Sequence, residues 1–219
     1  MNTMESIKAV LVLVVLAAAS WACDLGDIIS QQESSTSGDI IFFDDFSDPE
    51  SGWERNSEGG VKEYYQGIYH IMVESSNYFS WSLAHQSLGD VRVKVDLAYI
   101  GPADLAEMGI ICRLQDNNNF YFFTIRSDGG FAILKRQGGN EYFIGTDGYT
   151  TSTAINQGVA TNLIEAECAG PNLSLYANGQ HLMTVNDASF QLGDVGLIVG
   201  AFDQPDVNVY FDNFEVIQP

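Results

Sequence analysis

From Asp39 onward the apolar side chains recur at every second position, a period that fits strands and not helices. The clearest stretch places Val91, Val93, Val95, Leu97 and Tyr99 on one parity and Arg92, Lys94 and Asp96 on the other. Such a strand has one buried and one wet side. Turn signals separate the strands that follow. Asn119–Arg126 runs into Ser127-Asp128-Gly129-Gly130, Phe131–Arg136 into Gln137-Gly138-Gly139-Asn140, and then comes Glu141–Gly145. Asn178-Gly179, between Leu173–Ala177 and Gln180–Val185, supplies the two positive φ angles of a type I′ hairpin. Further strands are expected at Val195–Phe202 and Val207–Ile217, and only Pro102–Met108 reads as a short turn. In the last strand Val207, Val209 and Phe211 share one parity, Phe214 and Val216 the other, which predicts a β-bulge near Asp212-Asn213. Many short strands, Gly-rich turns and no helix define an all-β, two-sheet antiparallel sandwich. No break in composition divides residues 39–219, so they read as one domain.

The N-terminus is of another kind. Lys8 precedes an apolar run, Ala9–Ala19, closed by Ser20-Trp21-Ala22-Cys23. The run is too short to span a bilayer and reads as a secretory signal, residues 1–22. Ala22-Cys23 resembles the bacterial lipoprotein signal, in which that cysteine is lipidated after cleavage. Ser20 departs from the usual branched aliphatic residue and Trp21 is bulky, so ordinary signal cleavage stays open beside lipidation of Cys23. Residues 23–38 are polar and Ser-rich and read as a flexible tether with a root-mean-square span of roughly 20 Å. The expected location is extracytoplasmic, membrane-anchored only through an N-terminal lipid, or secreted if Cys23 is not lipidated. Cys112 and Cys168 both lie on the apolar parity of their strands, as a buried disulfide or as two buried thiols. Nine basic residues against 29 acidic ones give a net charge of −20, which repels nucleic-acid phosphates and anionic lipid headgroups. Neutral ligands, cationic partners or divalent metal remain.

The opening Phe43-Asp44-Asp45-Phe46-Ser47-Asp48 with Ser51-Gly52-Trp53 belongs to a larger pattern. Gly109–Arg113 followed by Asn119-Phe120-Tyr121-Phe122 is a second part, and Leu175–Gly179 with closing Phe211-Asp212-Asn213 a third. Together they resemble concanavalin A-like lectin/glucanase jelly rolls, especially laminin-G-like and 3-keto-disaccharide-hydrolase-like domains, over nearly all of residues 39–219. The resemblance implies that first and last strands lie side by side and that a concave sheet carries the ligand surface. The superfamily holds lectins, adhesive modules and glycosidases alike, so activity has to be read from a site.

Three sites are expected. Sugars lie flat on exposed aromatic rings, and Tyr78 and Trp81 on one strand, with Arg113, Tyr121 and Arg126 on central strands, form the candidate carbohydrate surface. Asp44, Asp45 and Asp212 converge if the first and last strands pair, and related sandwiches often hold a structural calcium ion, which needs six to eight oxygens. Glu165 and Glu167, two apart on one strand, are the nearest approach to a glycosidase carboxylate pair. The acidic run of retaining glycosidases with this fold is missing, as are a Ser-His-Asp arrangement and a phosphate loop, so the reading leans away from an enzyme. The leading expectation is a tethered module that binds carbohydrate or glycoconjugate. A glycosidase-type hydrolase and an adhesive module with a protein partner are the alternatives.

Overall fold

A computed structural model describes residues 38–56 and 60–219. The expected signal, Cys23 and, apart from Gly38, the expected tether lie outside the described residues. Among the described residues fifteen strands follow one another. They are β1 (Ile40–Asp44), β2 (Gly60–Tyr65), β3 (Ile68–Val73), β4 (Tyr78–Leu83), β5 (Val91–Pro102), β6 (Ala106–Asp116), β7 (Asn119–Arg126) and β8 (Gly130–Gln137). Then come β9 (Asn140–Phe143), β10 (Thr150–Thr151), β11 (Thr161–Ala169), β12 (Asn172–Ala177), β13 (Gln180–Asn186), β14 (Asp194–Ala201) and β15 (Val207–Ile217). Residues 102–108 form no helix: Pro102 ends β5 behind a cis peptide bond, and β6 begins at Ala106.

Two antiparallel sheets face each other. The first runs β13-β12-β11-β5-β15-β3-β2, with β1 also paired to β15; the second runs β10-β8-β7-β6-β14-β4, with β9 on β8. In β5 the alternation decides the layering: Val91, Val93, Val95, Leu97 and Tyr99 are buried between the sheets, and Arg92, Lys94 and Asp96 point outward. β1 pairs with β15 through Phe43↔Glu215 and Asp44↔Phe214, so the domain's beginning and end are neighbours. The register of β15 against β5 slips between Asp212 and Glu215, with Asn213 at φ 52°, which is the bulge that keeps both Phe211 and Phe214 in the core. Asn178 and Gly179 take φ of 51° and 76° in the β12–β13 turn. Cys112 of β6 and Cys168 of β11 meet across the interlayer core as a disulfide, sulfurs 2.17 Å apart.

The second sheet departs from simple alternation. β6, β7 and β14 are buried on both sides. Ile110, Phe123 and Leu197 point between the sheets, whereas Ile111, Phe120, Phe122, Leu134 and Ile198 gather on the outer side in a second apolar cluster.

Candidate functional site

The outer face of the second sheet is where chemistry concentrates. Its floor is apolar and aromatic, with Phe120 5.6 Å from Trp81 and Phe122 6.0 Å from Phe79, ring centre to ring centre. These contacts join β7 to β4 across two intervening strands. Glycine makes room for them: a Cβ at Gly200 of β14 would stand 2.4 Å from the Phe79 ring. The floor therefore fills its own hollow, and what remains accessible lies at its two ends.

One end is the free edge of β4. A hollow of about 200 Å³ there is lined by Glu54, Lys62, Tyr78, Phe79, Ser80, Trp81 and Asn117. Tyr78 is 52% exposed and Trp81 is partly buried. Lys62 donates to the Trp81 carbonyl at 3.0 Å and bonds Glu54. An aromatic side chain beside a carboxylate, an amine, a hydroxyl and an amide is the combination that takes the apolar face and the hydroxyls of a sugar together.

The other end holds a buried carboxyl. Glu107, on β6, is 1% exposed. Thr124 Oγ1 and Tyr149 Oη each donate to its Oε1 at 2.6 Å. Oε2 has no partner among the described residues. Burial pushes the Glu107 carboxyl up to about 7, a rise that Glu141 reinforces and that Thr124, Tyr149 and Arg126 oppose. The Arg126 guanidinium lies 4.3 Å from the Tyr149 ring centre and 5.5 Å from that of Phe202, and it is paired with Asp128.

The expected ligand residues divide. Tyr78 and Trp81 come together at the β4 edge, and Arg126 stands on the same face beside Glu107. Arg113 and Tyr121 are corrected: neither reaches that face. Arg113 is 1% exposed, because the strand bulges between Cys112 and Asp116 and Arg113 itself takes φ 55°, which turns the side chain inward. There it donates to the carbonyls of Gly89, Gly170 and Phe190 and to Asp90. Tyr121 points between the sheets, its hydroxyl donating to Asp187 at 2.5 Å and accepting from the Phe190 N–H. Despite burial, hydrogen bonds from Lys135, Ser189 and Tyr121 hold Asp187 well below the ordinary carboxylate range.

The carboxylates expected to catalyse or bind metal are differently placed. Glu165 and Glu167 face outward from the first sheet and pair with Lys94 at 3.8 Å and Arg92 at 2.6 Å. They belong to a solvated ion-pair ladder away from the aromatic face. Asp44 does not join Asp45 and Asp212. Asp44 is buried, accepting from the Phe46 N–H and from Trp53 Nε1, whereas the neighbouring Asp45 is exposed and bonds the Ser47 N–H. Asp212 has Asp96 and Asp45 near it, and its carboxyl is raised by burial first and by those two charges second. Among the described residues no three such side chains are grouped to hold a metal, so this trio does not fit a calcium shell.

Sequence reasoning missed Glu107. It lies in the stretch read as a turn after Pro102, yet Ala106–Leu114 carries only two charges in an otherwise apolar run, and both prove to be buried and hydrogen-bonded.

Two facing antiparallel sheets with adjoining ends define the class: an all-β jelly-roll sandwich. No protein-family model and no curated protein matches the chain. Among solved structures it is similar to the carbohydrate-binding module CBM66 from Bacillus subtilis, at TM-score 0.61 and 16% identity over 77% of this chain and 96% of that one. It is similar also to the GH43 protein BlXynB from Bacillus licheniformis (TM-score 0.63, 15% identity), where the match covers 83% of this chain and 40% of that one. A third is the β-glucanase of Bacillus licheniformis, at TM-score 0.55 and 11% identity over 81% of this chain and 98% of that one. At these identities the likeness is one of fold.

Proposed function

We propose that the chain is an exported module that binds neutral carbohydrate on the outer face of its second sheet, held at the cell surface by lipidated Cys23. The observation that carries the ligand assignment is the β4-edge hollow, where Trp81 and Tyr78 stand among polar side chains. Charge supports the neutral class. Of the nine lysines and arginines, Lys8 lies outside the described residues, and each of the other eight has a carboxylate within 4.0 Å. With every described lysine and arginine already partnered and a net charge of −20, an acidic glycan meets repulsion that no free cation among the described residues offsets. The similarity to a carbohydrate-binding module and to glycan-degrading enzymes is in keeping with this reading.

A panel of immobilised neutral and uronic-acid glycans tests it. Binding to neutral members is expected, with a loss of about tenfold or more in Trp81→Ala, measured well below that variant's own melting temperature, since an aromatic anchor is a common binding hot spot. No neutral glycan retained, or equal retention of acidic ones, refutes the assignment. Mass spectrometry of the mature N-terminus tests the anchor: an acylated Cys23 is expected, and an unmodified new terminus contradicts it.

One observation favours a second reading, a glycosidase-type hydrolase. Glu107 keeps its proton near neutrality, as a general acid must, and Glu141 is close enough to raise it further. Turnover of disaccharides that disappears in Glu107→Gln would establish hydrolysis in place of binding.

A further inference from the structure

The idle oxygen of Glu107 is an unexplained polar atom on the ligand face. Both hydrogen bonds to the carboxyl fall on Oε1, and Oε2 is shut away from solvent with no partner among the described residues. A buried polar atom without a partner is destabilising, so a folded domain has reason to eliminate it unless it is used. Neither protonation state removes the defect. Ionised, Oε2 lacks a donor; protonated, its O–H lacks an acceptor. A hydroxyl both donates and accepts, so a hydroxyl from outside satisfies Oε2 in either state. An amine or a carboxylate does so in one state only.

Tyr149 stands in the way. Its hydroxyl occupies Oε1, and its ring packs against Arg126 and, 5.1 Å away, Phe143. The segment that carries it is loosely tied. Ile144 donates its N–H to Ile133, and β10 begins at Thr150, but between them no backbone hydrogen bond holds residues 145–149 among the described residues. Gly145 sits at φ 77° and nothing lies within 4 Å of the Cβ position of Gly148. Segments with few backbone bonds open at low free-energy cost. The exchange is also well placed: Glu107 is paired with Gly200, and Gly200 with Phe79, next to Trp81. Two strand spacings, about 10 Å, separate Glu107 from the β4 edge, a gap that one oligosaccharide can span.

We propose that Glu107 and Arg126, beneath a Tyr149 strap, form a second, gated subsite of the ligand face, where a hydroxyl pair of a neutral sugar replaces the Tyr149 hydroxyl and engages Oε2. This rests on the carbohydrate reading of that face. Titration calorimetry with cellotetraose, xylotetraose and a fructo-tetraose, at pH 6 and pH 8, tests it on the full-length chain. For whichever sugar binds, Tyr149→Phe is expected to tighten affinity about fivefold, since a competing hydrogen bond is gone. Glu107→Leu is expected to weaken it about tenfold or more, with Glu107→Gln, which keeps one acceptor and gains a donor, in between.

Binding that is lost in Trp81→Ala but indifferent to all three of these variants overturns the subsite and leaves the carbohydrate reading standing. Absence of binding to any of the three sugars by both the wild type and Tyr149→Phe overturns the two together. Hydrogen exchange adds a check that needs no ligand. The amides of residues 145–149 are expected to exchange much faster than those of β8, and equal protection would show that no strap opens.

Discussion

Replacing Arg113 by alanine is expected to remove about 2–4 kcal/mol of stability, the cost of a buried acceptor left without its donor together with the cavity the side chain leaves, and to lower the melting temperature by roughly 4–16 °C for a domain of this size. The reason lies less in its ion pair than in its carbonyl partners. The Asp90 side chain is 60% exposed, so water screens that attraction and it contributes little. The carbonyls of Gly89, Gly170 and Phe190 are different, because they belong to three separate connections and converge only on this guanidinium. Without it the Phe190 carbonyl is left buried beside a cavity, the Gly89 and Gly170 carbonyls nearer the surface lose their common donor, and water must enter or the bulge must collapse. Arg113→Lys is expected to recover little, since one ammonium cannot span four acceptors that a planar fork reaches together. Urea denaturation checks both variants. A loss below about 1 kcal/mol in Arg113→Ala, the level of an exposed pair, would show that the carbonyls find other donors.

Glu107→Gln is expected to act in the opposite direction and only above mildly acidic pH. The folded carboxyl sits near 7 against an ordinary value of 4.5, so between those values the native state holds a proton that the unfolded chain has released. Stability then falls as pH rises through that window and levels off above it. With about 2.5 units between the two states the contribution is about 3 kcal/mol. Below about pH 4 the variant and the wild type should therefore differ little; at pH 8 the variant should melt roughly 6–12 °C higher. Asp187, held low by Lys135, Ser189 and Tyr121, contributes with the other sign but below this window. Melting curves from pH 4 to 8 decide the matter, and parallel curves for the two proteins would place the Glu107 carboxyl in contact with water.

The elements that local chemistry controls were legible in the sequence. β7 and β15 begin and end where alternation and turn residues put them, the Asn178-Gly179 hairpin has its two positive φ angles, and the phase change in the last strand is a bulge at Asp212–Asn213. The candidate site was legible only in part, for two physical reasons. Parity assigns a face only when one side of a strand is polar. β7 (NFYFFTIR) is apolar on both sides, so nothing local says that Tyr121 points inward while Phe120 and Phe122 point out. A bulge without a sequence mark also reverses the assignment downstream of it. Asp212-Asn213 announces itself by a shift of parity; Cys112-Arg113 does not, and Arg113 was placed on the wrong side. Glu107 was hidden by Pro102, which suggested a turn where the chain makes a cis bend and resumes as a strand.

The adjoining ends have a consequence for architecture. Gln218 donates its N–H to the carbonyl of Asp39 at 3.0 Å, so the domain occupies its host polypeptide as a closed loop and demands almost no separation between the points where it enters and leaves. Such a unit can be spliced into a surface turn of an unrelated protein, or threaded in series like beads, without prying its neighbours apart. By the same geometry its backbone can be joined end to end and reopened at the Asn178-Gly179 hairpin, giving a circular permutant with the same two layers.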